Sequence, residues 1–152
     1  QQYTLKITQA NKTQLVVILY EMLLIYLEEA VSAHEKKDRA GFREGIRKAR
    51  GCLKELMTSL HFEYEPALNL WQLYLYANKE LAMADVRNST QELSHVKMIM
   101  IKLHDAYEQI SGQDTSGPVM ANTQTVYAGL TYGRNSLTEN LDGQGGDRGF
   151  RV

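Results

Sequence analysis

Residues 15–27 read LVVILYEMLLIYL, a run in which Glu21 is the only charge. A helix on the outside of a bundle shows one apolar stripe, with polar residues opposite. This run is apolar nearly all round. It is also shorter than the roughly 20 residues a membrane span requires. It therefore predicts a helix sheltered by protein on more than one side, the bundle covering one and a partner the other. The helix opens at Asn11, with Gln14 three residues on, a capping-box pattern. It runs to about His34.

Three more helices follow from spacing. After the polar stretch 34–38, Asp38 is placed to cap a second helix. There Phe42, Ile46, Ala49, Leu53, Leu56 and Leu60 recur every three or four residues. Gly41, Gly45 and Gly51 weaken that helix or admit a close neighbour. Pro66 suits the first turn of a third helix, where a missing N–H has no helical partner to lose. This helix carries Leu68, Leu70, Trp71, Leu73, Tyr74, Leu75, Tyr76 and Leu81, apolar on more than one face. A fourth opens at Ser89 with Glu92 three on, a second capping-box pattern. Its Leu93, Val96, Met100, Leu103, Tyr107 and Ile110 form a bundle seam. Short connections make successive helices antiparallel neighbours. The expected fold class is all-α, an antiparallel up-down four-helix bundle over 12–110. An N-terminal extension covers 1–11 and a partly ordered tail covers 111–152. Eight of the eleven glycines lie from Ser111 onwards, and 126–132 is the tail's one apolar island.

Composition narrows the function. The 152 residues suit one domain. A net charge of −1 gives no general pull towards nucleic acid or an anionic membrane. The single cysteine, Cys52, excludes an internal disulfide framework and fits a reducing cytosol. No basic stretch precedes an apolar core at the N-terminus, so a signal peptide is not expected.

Chemistry finds little support. Glu92 and His95 make one Glu-x-x-His step, whereas a di-iron bundle needs two; no second precedes His34, His61 or His104. His34 and His95 lack the His-x-x-Lys-Gly context of a phosphorylated bundle histidine. Cys52 sits on an amphipathic helix beside Leu53 and reads as structural. No nucleotide-binding or nucleophile-elbow motif appears. Arg39, Arg43 and Arg47 share one face of the second helix and read as a solvated surface. Neither catalytic residues, metal ligands nor cofactors are expected.

The tyrosines say more. Tyr20, Tyr26, Tyr74 and Tyr76 lie in the two most apolar helices. A tyrosine hides a large ring while its hydroxyl seeks a partner, which suits contact surfaces. Tyr74 and Tyr76 are about 200° apart on a helix, so one faces the core and the other a partner. Asn69 interrupts the apolar start of the third helix. Its amide is placed either for a neighbouring helix end or for a passing peptide backbone.

Three blocks together resemble the flagellar export chaperone family FliS. They are Ala10-Asn11-Lys12-Thr13-Gln14-Leu15 with Leu19-Tyr20; Ala67-Leu68-Asn69-Leu70 with Leu73-Tyr74-Leu75-Tyr76, Leu81 and Ala84; and Asp105-Ala106-Tyr107. The family's Gly-Gly turn before helix three is replaced by Glu63-Tyr64-Glu65-Pro66, and Lys12 stands where many members have Pro. The resemblance implies a cytoplasmic, non-enzymatic chaperone whose apolar grooves take the disordered C-terminal segment of flagellin. That would block premature polymerisation and serve flagellar type III secretion. Partners are then flagellin and the export apparatus, with weak homodimerisation as a further contact and neither nucleic acid nor membrane insertion. The expected contact residues are Tyr20, Leu68, Asn69, Leu73, Tyr74 and Tyr76, with Ile7 in a flap over the groove. The island at 126–132 is expected to compete for that groove. The alternatives are a ferritin-like metal-binding bundle and a self-assembling helical module.

Overall fold

The computed structural model describes residues 11–63 and 65–112. Four helices fill them, with no strand among the described residues: α1 (Lys12–Glu35), α2 (Arg39–Thr58), α3 (Ala67–Arg87) and α4 (Gln91–Ser111). Paired residues fix their directions. Ala30 meets Gly45 and His34 meets Phe42. Arg43 meets Asp85 and Arg50 meets Asn78; Glu80 meets His95 and Arg87 meets Glu92. Glu21 meets His104 and Tyr20 meets Tyr107. In each set the numbers rise on one helix as they fall on the other, so each helix runs antiparallel to both its neighbours. The all-α antiparallel four-helix bundle is the observed fold.

Local chemistry sets most of the ends. Asn11 Oδ1 accepts from the Gln14 backbone N–H at 2.8 Å, and Gln14 Oε1 accepts from the Asn11 N–H at 3.0 Å. Both halves of the capping box are therefore made. Asp38 Oδ1 accepts from the Gly41 N–H at 3.0 Å and caps α2. The fourth helix departs from expectation. It begins at Gln91, with no side-chain cap from Thr90 at its N-cap. Asn88 ends α3 in the left-handed conformation, and the Ser89 N–H closes that end by donating to the Ala84 carbonyl at 3.1 Å. A Ser89 capping box would need that same N–H for the Glu92 side chain, so it cannot form. Ser89 Oγ instead accepts from the Gln91 N–H at 3.2 Å.

The core explains the apolar run. Leu15, Ile18, Leu19, Tyr20, Met22, Leu23 and Leu27 of α1 are all buried, against α2 on one flank and α4 on the other. Only Ile25 within the run reaches the surface as an exposed apolar residue. The spare side expected on α1 is thus taken up inside the molecule. α1 is the most deeply packed helix, and α3 keeps the open apolar face.

The α1–α2 contact depends on Gly45. A methyl group added there would stand 2.8 Å from Ala30 Cβ and 2.9 Å from the Ala30 backbone nitrogen. Both are well inside contact distance, so the two backbones touch because this position has no side chain.

The arginines of α2 are structural ties rather than a free basic face. Arg39 donates to the Asp85 carbonyl at 2.7 Å and to Asn88 Oδ1 at 2.9 Å. Arg43 Nε donates to Asp85 Oδ1 at 3.0 Å, and Arg50 Nε to Asn78 Oδ1 at 3.0 Å. Arg47 turns back to Glu44 on its own helix. With His34 Nε2 at 2.9 Å from the Asn88 carbonyl, these contacts fasten the C-terminal half of α3 to α1 and α2.

Candidate functional site

Helix α3 buries Ala67, Leu70, Tyr74, Ala77, Leu81 and Ala84 on one face. These recur every three to four residues, so the opposite face must look outward. That outer face is not polar. Leu68 is 56% exposed, Leu73 37%, Leu75 44% and Tyr76 44%. Asn69 is exposed among them. Leu68, Leu75 and Val86 stack along one line of the helix, at steps of seven and eleven residues. Asn69, Leu73 and Tyr76 form a second ridge at steps of four and three. The next position on that ridge is Glu80, whose Oε1 lies 2.6 Å from His95 Nδ1 on α4. The ridge therefore borders α4, where Met98 and Ile101 also show apolar surface. Burying such side chains against another polypeptide would be favourable, because apolar surface is then removed from water.

Tyr20 and Tyr74 lie elsewhere. Both are buried, and their hydroxyls meet at 2.5 Å. Burial pushes the Tyr74 phenol well above its ordinary pKa, opposed in part by the Tyr20 hydrogen bond. Tyr107 packs edge-on against the Tyr20 ring, with centroids 5.7 Å apart. Of the tyrosine pair on α3, then, Tyr74 is the inward member and Tyr76 the outward one. Desolvation and the nearby Glu80 carboxylate raise the Tyr76 phenol above its usual value. Ile7 and the 126–132 island lie outside the described residues.

Much of the remaining polar chemistry is pairwise. Glu92 and His95, one Glu-x-x-His step in sequence, separate in space: Glu92 bonds Arg87 at 3.1 Å, while His95 bonds Glu80. The Glu92 carboxyl is held below its usual range, first by its own backbone N–H and then by Ser89 and Arg87, against the cost of burial. His34 packs against the Phe42 ring and the Asn88 carbonyl. Cys52 is fully buried, and desolvation pushes its thiol far above the range in which a nucleophilic thiolate forms. Glu55, one turn on, is buried with neither carboxylate oxygen hydrogen-bonded, and burial raises its pKa to about 8. Sequence reasoning missed two features here: this buried acid without a hydrogen bond to its carboxylate, and a grouping of Glu21 with His104 and Glu108. The isolated charge in the α1 run was the available signal for the second.

Residues 1–114 match the family model described as flagellar protein FliS. The chain is also 26% identical over 103 residues to the flagellar secretion chaperone FliS of Bacillus subtilis (strain 168). That alignment spans 68% of this chain and 77% of the relative.

Proposed function

This chain belongs to the FliS family, and on that premise we propose that it holds the disordered C-terminal segment of flagellin along the outer face of α3 before export. The family is one of chaperones rather than enzymes, and no helix among the described residues is long and apolar enough to cross a membrane. The observation that carries the reading is the row of exposed apolar side chains on α3 opposite a fully packed face. Leu68, Leu73 and Tyr76 supply apolar contact. Asn69, between them, supplies an amide that both donates to and accepts from a peptide backbone. Tyr20 and Tyr74 serve the site from beneath, by fixing the height of α3 on the bundle.

Magnitudes say how much surface the client must cover. Fully burying a large apolar side chain contributes about 1.5–3 kcal/mol, so four that are already about half covered give roughly 3–6 kcal/mol. Ordering a disordered segment costs about 2–5 kcal/mol. The α3 stripe alone nearly breaks even. Useful affinity therefore requires the client to continue beyond it, across Met98 and Ile101 of α4. Such a segment becomes ordered only while bound, which hides its assembly surface in the cytoplasm, and it returns to the unfolded state on release for type III export.

Calorimetric titration of the chain with a flagellin C-terminal peptide tests this reading. Binding with a negative heat-capacity change is expected, weakened in Asn69→Ala. Absence of binding, or a concentration-dependent dimer that persists unchanged when peptide is added, would count against it.

A further inference from the structure

Glu21 is the only charge in the apolar run of α1, and it does not stand alone. Its Oε2 lies 3.0 Å from His104 Nε2 on α4. Glu108 follows His104 by four residues and so shares its helix face. One ligand atom from each of Glu21, His104 and Glu108 lies within 4.8 Å of the others. The second imidazole nitrogen is also engaged: His104 Nδ1 lies 3.1 Å from Asp105 Oδ1. With Nδ1–H donating to Asp105, the imidazole can give its Nε2 lone pair to a cation seated between it and Glu21, in place of the Nε2–H bond to that carboxylate; such a carboxylate partner commonly orients metal-bound histidines.

We propose that Glu21, His104 and Glu108 form a binding site for one zinc-class divalent cation, with Asp105 positioning the imidazole. One nitrogen and two carboxylate oxygens suit zinc and its neighbours, whereas magnesium and calcium favour all-oxygen sites with more ligands. Three protein ligands leave a fourth tetrahedral position to water, which the exposure of Glu108 allows. Two helices contribute ligands, so the ion ties α1 to α4 beside the Tyr20–Tyr107 ring contact. The site is separate from the outer face of α3. Its ligands follow a His-x-x-x-Glu step plus one distant glutamate, not the Glu-x-x-His step of di-iron bundles.

Zinc chloride titrated into the full chain, by calorimetry and by thermal melting, tests the site. One ion per chain and a rise in Tm of several degrees are expected at saturation, with no such rise in magnesium chloride. Glu108→Gln, at an exposed position, keeps the metal-free Tm and weakens zinc binding about tenfold or more; His104→Ala abolishes it. A Tm indifferent to zinc would overturn the proposal. So would undiminished zinc binding in His104→Ala, which would place the ion at another pair such as His95 and Glu80.

Discussion

The hydroxyls of Tyr20 and Tyr74 meet across the bundle, joining the first helix to the third, which otherwise pack mainly against α2 and α4. Tyr74→Phe leaves the ring and removes that bond, at an expected cost of about 1–3 kcal/mol. Tyr76→Ala removes an exposed ring on the opposite face of the same helix. The two variants should split cleanly. The first lowers the urea midpoint and leaves peptide affinity of the folded protein unchanged. The second leaves the midpoint within about 0.5 kcal/mol of wild type and weakens flagellin-peptide binding roughly tenfold, as an interface aromatic does. Tyr74→Asp, by contrast, places a charge in the core and reports on folding rather than on contact.

Glu55 gives the fold a pH dependence. Its carboxyl titrates near 8 when folded and near 4.3 in an unfolded chain. Between those values the folded protein holds the extra proton, so stability is greatest below the lower value and falls as pH rises towards the upper one. Glu55→Gln removes this contribution. In urea titrations from pH 5 to 8.5, wild type should lose a few kcal/mol relative to the variant, at up to about 1.4 kcal/mol per pH unit. Parallel curves for the two proteins would show that Glu55 ionises normally.

Gly45 is set by contact, not by helix preference. Alanine is intrinsically better in a helix by about 1 kcal/mol. The approach of Ala30 reverses that advantage, because its backbone nitrogen cannot move aside as a flexible side chain would. Gly45→Ala should therefore destabilise by about 1–3 kcal/mol, measured by thermal or urea unfolding. A stabilised variant would mean that α1 and α2 part easily.

Asn11 contributes half of the capping box at the start of α1. Asn11→Ala should cost about 1 kcal/mol and Asn11→Asp little. Hydrogen exchange of the amides at Gln14 and Leu15 would register the loss locally.

What could be read from the chain alone was what neighbouring residues decide. The capping of α1 by Asn11 and of α2 by Asp38 needs only three residues of context, and both were legible. Ser89 and Glu92 carry the same signature, yet the N-cap of α4 falls one residue later, at Thr90, because the Ser89 N–H is committed to Ala84 five residues back. Periodicity located the apolar faces of α1 and α3 but not their places in the bundle. The most apolar helix proved to be the best covered one, and the open surface fell on α3. Tyr20 and Tyr74 pair over 54 residues of sequence, and Glu21 and His104 over 83; the isolated charge at Glu21 signals that it needs a partner, but no local pattern identifies the partner in either pair.

The polar fastenings of α3 are unevenly shared. Asp85 and Asn88 are gripped by His34, Arg39 and Arg43, while the start of the helix at Pro66 has no side-chain cap. The bundle thus behaves like a clothes-peg sprung at one end. A client bound as proposed should therefore gain room near Leu68 first and near Val86 last, so that its loading would have a direction.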